Sequence, residues 1–196
     1  MPPRPNASSD EILLATIQLI AEHDLSGVTV DMVADTAGVS KATIYRRWPS
    51  REDLFFEALS YMQYPQADPD TGSLREDLAV LLKGLVHFLN RPDGGKVYAA
   101  FLNAAIRDSK LAALRREVAR EARADYERVL FRGIERGEIA SDINMRLVID
   151  ILTAPFIYRR LGDNMNARLS DVSRVIDVVL AAYGPSAKSR KIGTAA

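Results

Sequence analysis

The stretch that most constrains this chain is residues 29–51, TVDMVADTAGVSKATIYRRWPSR. Its punctuation allows few backbones. Thr29 is positioned to cap a helix, and Val30, Val33 and Ala34 give that helix one apolar stripe. Gly38 stands where the helix must stop, because glycine enters the left-handed conformation beyond a helix end at little cost. Ser40 can cap a second helix over residues 41–47, and Pro49 ends it. Two short helices joined by a tight glycine turn form a helix-turn-helix. In that unit the second helix enters the DNA major groove.

Charge points the same way. The chain has 26 basic and 26 acidic residues, so it is not a basic nucleic-acid coat protein and any DNA contact must be local. Residues 37–50 contain no acid, while Lys41, Arg46 and Arg47 fall among them and Arg51 follows. Positive charge is concentrated on one helix.

Within this stretch, AGVSKATIYRRWPSREDL resembles the TetR family of bacterial transcriptional regulators. The typical run has Gly-Val-Ser, a Lys, a small residue, Thr, an aliphatic residue, Tyr, a His or Arg, Phe, a Lys and a Leu. Here Trp48 stands where Phe is usual and Arg51 where Lys is usual, and both changes keep the chemistry. The resemblance is strong over residues 8–59. Beyond Gly72 it rests on helix order and on the runs Arg136-Gly-Glu-Ile and Ala154-Pro-Phe-Ile-Tyr-Arg.

The rest of the chain reads as helices throughout. Residues 1–7 hold three prolines and read as a loose arm, with Arg4 a candidate for the minor groove. Ser8-Ser9-Asp10-Glu11 is a capping box that opens a helix to about His23, and Ser50-Arg51-Glu52-Asp53 opens another to about Met62. Residues 64–72, with two prolines and a glycine, form the clearest linker. Further apolar stripes predict helices over residues 73–89, 97–107, 110–136, 145–161 and 170–183, with Ser73 and Ser170 as caps and Pro155 as a kink. Residues 92–95 and 137–142 read as turns, and the basic tail after Gly184 as disordered. The charged faces of the 110–136 helix mix both signs and read as solvated. The expected fold is all-α with about nine helices. A helix-turn-helix domain occupies residues 8–63, and a larger helical domain for ligand binding and dimerisation occupies residues 73–183.

Other chemistries find little purchase. There is no cysteine, the histidines are His23 and His87, and no Gly-rich phosphate loop or Ser-His-Asp set is evident. No enzyme, metal or cofactor is expected. With no signal-peptide core and no apolar run of ~18 residues, the expected location is the cytoplasm, with no membrane partner.

The expected DNA-facing residues are Thr29, Ser40, Lys41, Ala42, Thr43, Tyr45, Arg46, Arg47, Trp48 and Arg51. Lys41 can donate to guanine, and Ala42 and the Thr43 methyl can meet a thymine methyl. The resemblance implies that Thr29, Tyr45, Arg47 and Arg51 hold phosphates. Arg46 points to phosphate or solvent, and the bulk of Trp48 also suits a core plug. Asp31 lies where some relatives carry a basic base reader. Here it stabilises the helix start, repels phosphate or accepts from a cytosine amino group. The resemblance also implies an operator with two half-sites, a homodimer and a small-molecule effector. The aromatic-rich middle gives a candidate pocket of Tyr61, Phe88, Tyr98, Phe101, Tyr126, Leu130, Phe156 and Arg159, suited to an apolar or aromatic ligand. The last two helices give a candidate dimer face of Val148, Leu152, Ile157, Val172, Val175, Ile176, Val179 and Leu180. The competing reading is a co-regulator or interaction module that keeps this fold without reading DNA.

Overall fold

The computed structural model describes residues 8–62, 68–107 and 109–185. The proline-rich arm with Arg4, most of the linker and the basic tail lie outside the described residues. Among those described, the chain forms nine α-helices and no strand. They are α1 (Ser9–His23), α2 (Val30–Ala37), α3 (Lys41–Arg47), α4 (Arg51–Met62), α5 (Leu74–Asn90), α6 (Gly94–Arg107), α7 (Ser109–Glu135), α8 (Met145–Leu161) and α9 (Ser170–Tyr183). Two compact units emerge, one of Met1–Pro65 with Asn90–Glu121 and one of Gln66–Leu89 with Ala122–Ala196. The first unit thus takes in α6 and the front of α7 as well as the first four helices.

In the first unit α1 is the hub and packs against α2, α4 and α6. Its capping box is formed: Ser8 Oγ accepts from Glu11 N at 3.2 Å, and Glu11 Oε2 accepts from Ser8 N at 2.8 Å. Ile12, Leu13, Ile17 and Ile20 are buried, and the hydroxyl of buried Thr16 donates to the Ile12 carbonyl. Leu54, Phe55, Ala58, Leu59 and Met62 of α4 complete the core beneath the reader. The α6 helix begins at Gly94, not at Val97, so the expected 92–95 turn is cut short. Val97 N donates to the Asp93 carbonyl at 2.9 Å, and both glycines are buried within the first helical turn.

In the second unit the close approach of α5 and α7 depends on Gly133. A Cβ there would lie 2.7 Å from Leu74 Cδ2. Beside it runs an arginine ladder at helical spacing. Arg132 donates to Asp68 at 2.7 Å and to the Pro69 carbonyl at 2.6 Å, and Arg136 donates to buried Asp77 at 3.2 Å. Arg128 lies 3.8 Å from Asp68. Asp77 also accepts from Thr71 N and Oγ1 at 2.8 and 2.7 Å. Burial pushes the Asp77 carboxyl up, but the Thr71 and Arg136 hydrogen bonds outweigh it and hold the group below the usual carboxylate range. This face of α7 is therefore tied to residues 68–77, where a solvated face is the sequence expectation.

Glu138 Oε2 accepts from Leu74 N at 2.8 Å, and Asn144 caps α8 by accepting from Leu147 N at 3.0 Å. The helix α8 runs through Pro155 and packs on α9. Ser170 is the first residue of α9 and not its cap. Leu169 occupies the cap position with no side-chain bond, and Asp171 supplies the acid in the first turn.

Candidate nucleic-acid interface

The reader is assembled from local signals. Thr29 Oγ1 accepts from Met32 N at 3.3 Å and caps α2. Gly38 closes that helix at φ +66 and ψ 34, the left-handed conformation, with its N–H on the Asp35 and Ala34 carbonyls. Ser40 Oγ then accepts from Thr43 N at 3.1 Å and caps α3. Of the seven residues of α3, Ile44 alone is buried. Val39 and Trp48 plug the core on either side of it. The rest of α3 is turned outward: Lys41, Ala42, Tyr45, Arg46 and Arg47 are exposed, Thr43 is half-buried, and no acid lies in its first turn.

The expected DNA-facing residues separate into three groups. Thr29 and Ser40, the caps of α2 and α3, and Lys41, Ala42, Tyr45, Arg46 and Arg47 of α3 are exposed, and Thr43 is partly covered. Arg51 is half-buried: its guanidinium lies 5.3 Å above the Phe55 ring centroid, donates to the Val28 carbonyl at 3.4 Å and pairs with Glu52. It braces α4 against the start of α2. Trp48 is corrected. It is 3% exposed and its Nε1–H donates to Glu57 Oε2 at 2.6 Å, so its ring is core and does not reach DNA.

Asp31 forms an ion pair with Lys41, linking the first turns of α2 and α3. The pair is not evident from the sequence, where Asp31 and Lys41 stand ten positions apart. The signal for it is their common position, each in the first turn of one of the two reader helices.

The eight candidate pocket residues divide between the units. Tyr61, Tyr98 and Phe101 belong to the first, and Phe88, Tyr126, Leu130, Phe156 and Arg159 to the second. Tyr61 is exposed, whereas Phe101, Tyr126, Leu130 and Phe156 are buried. Burial pushes the Tyr126 phenol far above its ordinary value, so it stays neutral. Within the second unit an open cleft of about 230 Å³ lies between α8 and α9, lined by Pro155, Phe156, Arg159, Asp171, Arg174, Val175 and Val178. Two of the eight, Phe156 and Arg159, line it. Arg159 is paired with Asp171, which also takes Arg174 at 3.2 Å. Among the described residues no cluster of three or more His, Asp or Glu could hold a metal ion.

The candidate dimer face is also revised. Val148, Leu152, Val172, Ile176 and Val179 are buried in the protomer's own core and have no surface left for a partner. Ile157, Val175 and Leu180 are half-buried. The large apolar side chains that α8 and α9 expose are Leu147, Tyr158 and Val178, at 48, 67 and 62%.

Comparison with known proteins follows the same division of the chain. The family described as bacterial regulatory proteins, tetR family, matches residues 12–58, and the tetracyclin repressor-like C-terminal domain matches residues 68–179. The HTH-type transcriptional regulator YdeS of Bacillus subtilis is 32% identical over 185 residues, covering 92% of this chain and 90% of YdeS. The DNA-binding transcriptional repressor TetR of Mycobacteroides abscessus is 29% identical over 193 residues, covering 94% of this chain and 98% of its own. The crystal structure of the TetR family transcription regulator SCO0332 superimposes with a TM-score of 0.69 at 29% identity, over 90% of this chain and 98% of that one. No described helix is long and apolar enough to cross a membrane. A capped two-helix reader in the first 60 residues, a helical C-terminal region and full-length relatives that are themselves transcriptional regulators lead to one assignment: this chain belongs to the tetR family of bacterial regulatory proteins.

Proposed function

We propose that this protein is a cytoplasmic, homodimeric repressor that binds an operator of two half-sites and leaves it when a small apolar or aromatic ligand binds the C-terminal helices. The observation that carries the DNA part is α3: seven residues, one buried anchor, and an outward set with three bases and no acid. A co-regulator that does not read DNA has no use for such a helix, and Lys41, Arg46 and Arg47 weigh against that second reading. The domains proposed are residues 8–63 for reading and 73–183 for ligand and partner.

The dimer part is supported by the exposed apolar residues of α8 and α9. Leu147, Tyr158 and Val178 are exposed, and Pro155, Val175 and Val178 line the cleft between the helices; exposed apolar surface of this kind marks association sites. One reader binds weakly, and two readers spaced one helical turn apart, ~34–36 Å, make a tight site. The ligand part is supported by the aromatic content of the middle helices. A ligand relieves repression if it prefers the conformation that does not fit the operator, and α4, which links the reader to the linker in sequence, carries the shift.

The test is a gel-shift titration of the protein–operator complex with a panel of apolar and aromatic compounds. The proposal expects at least one to weaken operator binding ten-fold or more (~1.4 kcal/mol of coupling). A panel in which none weakens it counts against ligand release.

A further inference from the structure

Asp31 favours the start of α2 as a first-turn acid, but that does not require its pairing with Lys41. Thr29 caps α2 and Ser40 caps α3, so neither helix needs the pair to start. Both side chains are more than half exposed, and exposed ion pairs add little to stability. Yet an acid sits on the surface that must approach a polyanion, joined to the leading basic residue of the reader helix.

The donor and acceptor count gives it a purpose. The carboxylate meets Lys41 through Oδ1, and Oδ2 takes no hydrogen bond from the described residues. The two side chains are joined by charge, and the ammonium keeps N–H donors to offer a base edge. The pair therefore presents ammonium donors beside an open carboxylate acceptor. In the major groove a G·C pair shows two neighbouring acceptors, guanine N7 and O6, and then a donor, the cytosine N4 amino group. An A·T pair alternates acceptor, donor and acceptor, and so opposes a donor to the ammonium. The pair is also electrically neutral. It adds little to phosphate attraction and spends its contacts on base edges.

We propose that Asp31 and Lys41 act as one specificity-determining unit that reads a G·C base pair in each half-site, with Lys41 donating to guanine and Asp31 accepting from cytosine. This rests on the reading of α3 as the DNA-facing helix.

The test is selection of bound duplexes from a random pool by the full-length protein, by Asp31→Ala and by Lys41→Ala, with circular dichroism to verify each fold. Wild type is expected to fix one G·C pair per half-site, disfavouring the other pairs about ten-fold or more. Each variant is expected to relax that same position to within about three-fold. Asp31→Ala is further expected to gain affinity for random duplex, with a salt dependence steeper by about one, because Lys41 is no longer neutralised. Unchanged preference in Asp31→Ala, or relaxation of different positions by the two variants, overturns the proposal and leaves the reader helix standing. Wild type that enriches no sequence overturns the reader itself.

Discussion

Trp48 places its indole N–H on Glu57 at 2.6 Å and almost no surface in solvent. Its role is to lock α3 to α4. Trp48→Phe keeps the plug and drops a charge-assisted hydrogen bond, so urea unfolding is expected to show a loss of about 1–3 kcal/mol. Operator affinity should stay within a few-fold of wild type, and a large loss of affinity in a folded variant would return Trp48 to the interface. The size and position of Trp48 are legible as a core plug in the sequence. Glu57 is not, since nothing in the sequence marks an acid on α4 as the partner of a ring on the preceding turn. Asp77 is a longer-range case. Its carboxyl is held low by Thr71 and by Arg136, whose partnership spans 59 residues. A lowered value means that the unfolded chain binds the proton first. The stability Asp77 adds is thus present above the ordinary carboxylate range and is lost as pH falls through the lowered native value. Asp77→Asn is expected to cost about 3 kcal/mol near neutral pH. It should also flatten the acid limb of a stability–pH profile below about pH 4. A variant with the wild-type acid limb would show that Asp77 is not the group responsible.

At the level of elements, caps and turns are the legible part. Thr29, Gly38 and Ser40 act where the sequence puts them because each works on its own neighbours. Gly38 holds φ +66 with open space where a Cβ would go, so Gly38→Ala carries the backbone cost alone. That cost is about 1–2 kcal/mol, read as a lower unfolding midpoint. Gly38→Asn is expected to cost less, since asparagine tolerates this region. Equal stability of Gly38→Ala and wild type would contradict the turn. The helix faces of α8 and α9 are legible as apolar, but their partners are not. Val148, Leu152, Val172, Ile176 and Val179 fill the protomer core, while Tyr158 and Val178 stay outside. Hydrophobic periodicity reports that a face is buried and is silent on whether the same chain or another covers it. The start of α6 at Gly94 was hidden for a related reason. Two consecutive glycines read as a turn until packing holds them in a helix.

For the whole molecule, the proposed dimer would add a second reader to a chain that carries no net charge and whose basic residues are local. Val178→Arg places a charge on the exposed apolar surface of α9 beside the α8–α9 cleft. Sedimentation is expected to show a monomer, and operator affinity should fall by about 100-fold as the second reader is lost. A Val178→Arg protein that remains dimeric would move the interface elsewhere. The proposed function depends on the outward face of α3 reading DNA. It is tested most directly by titrating a selected operator duplex with wild type and with Lys41→Ala/Arg47→Ala, at several salt concentrations. The double variant is expected to fold normally, to lose specific binding and to show a shallower salt dependence, by about one for each phosphate contact removed. Operator binding in the double variant with wild-type affinity and salt slope would contradict it.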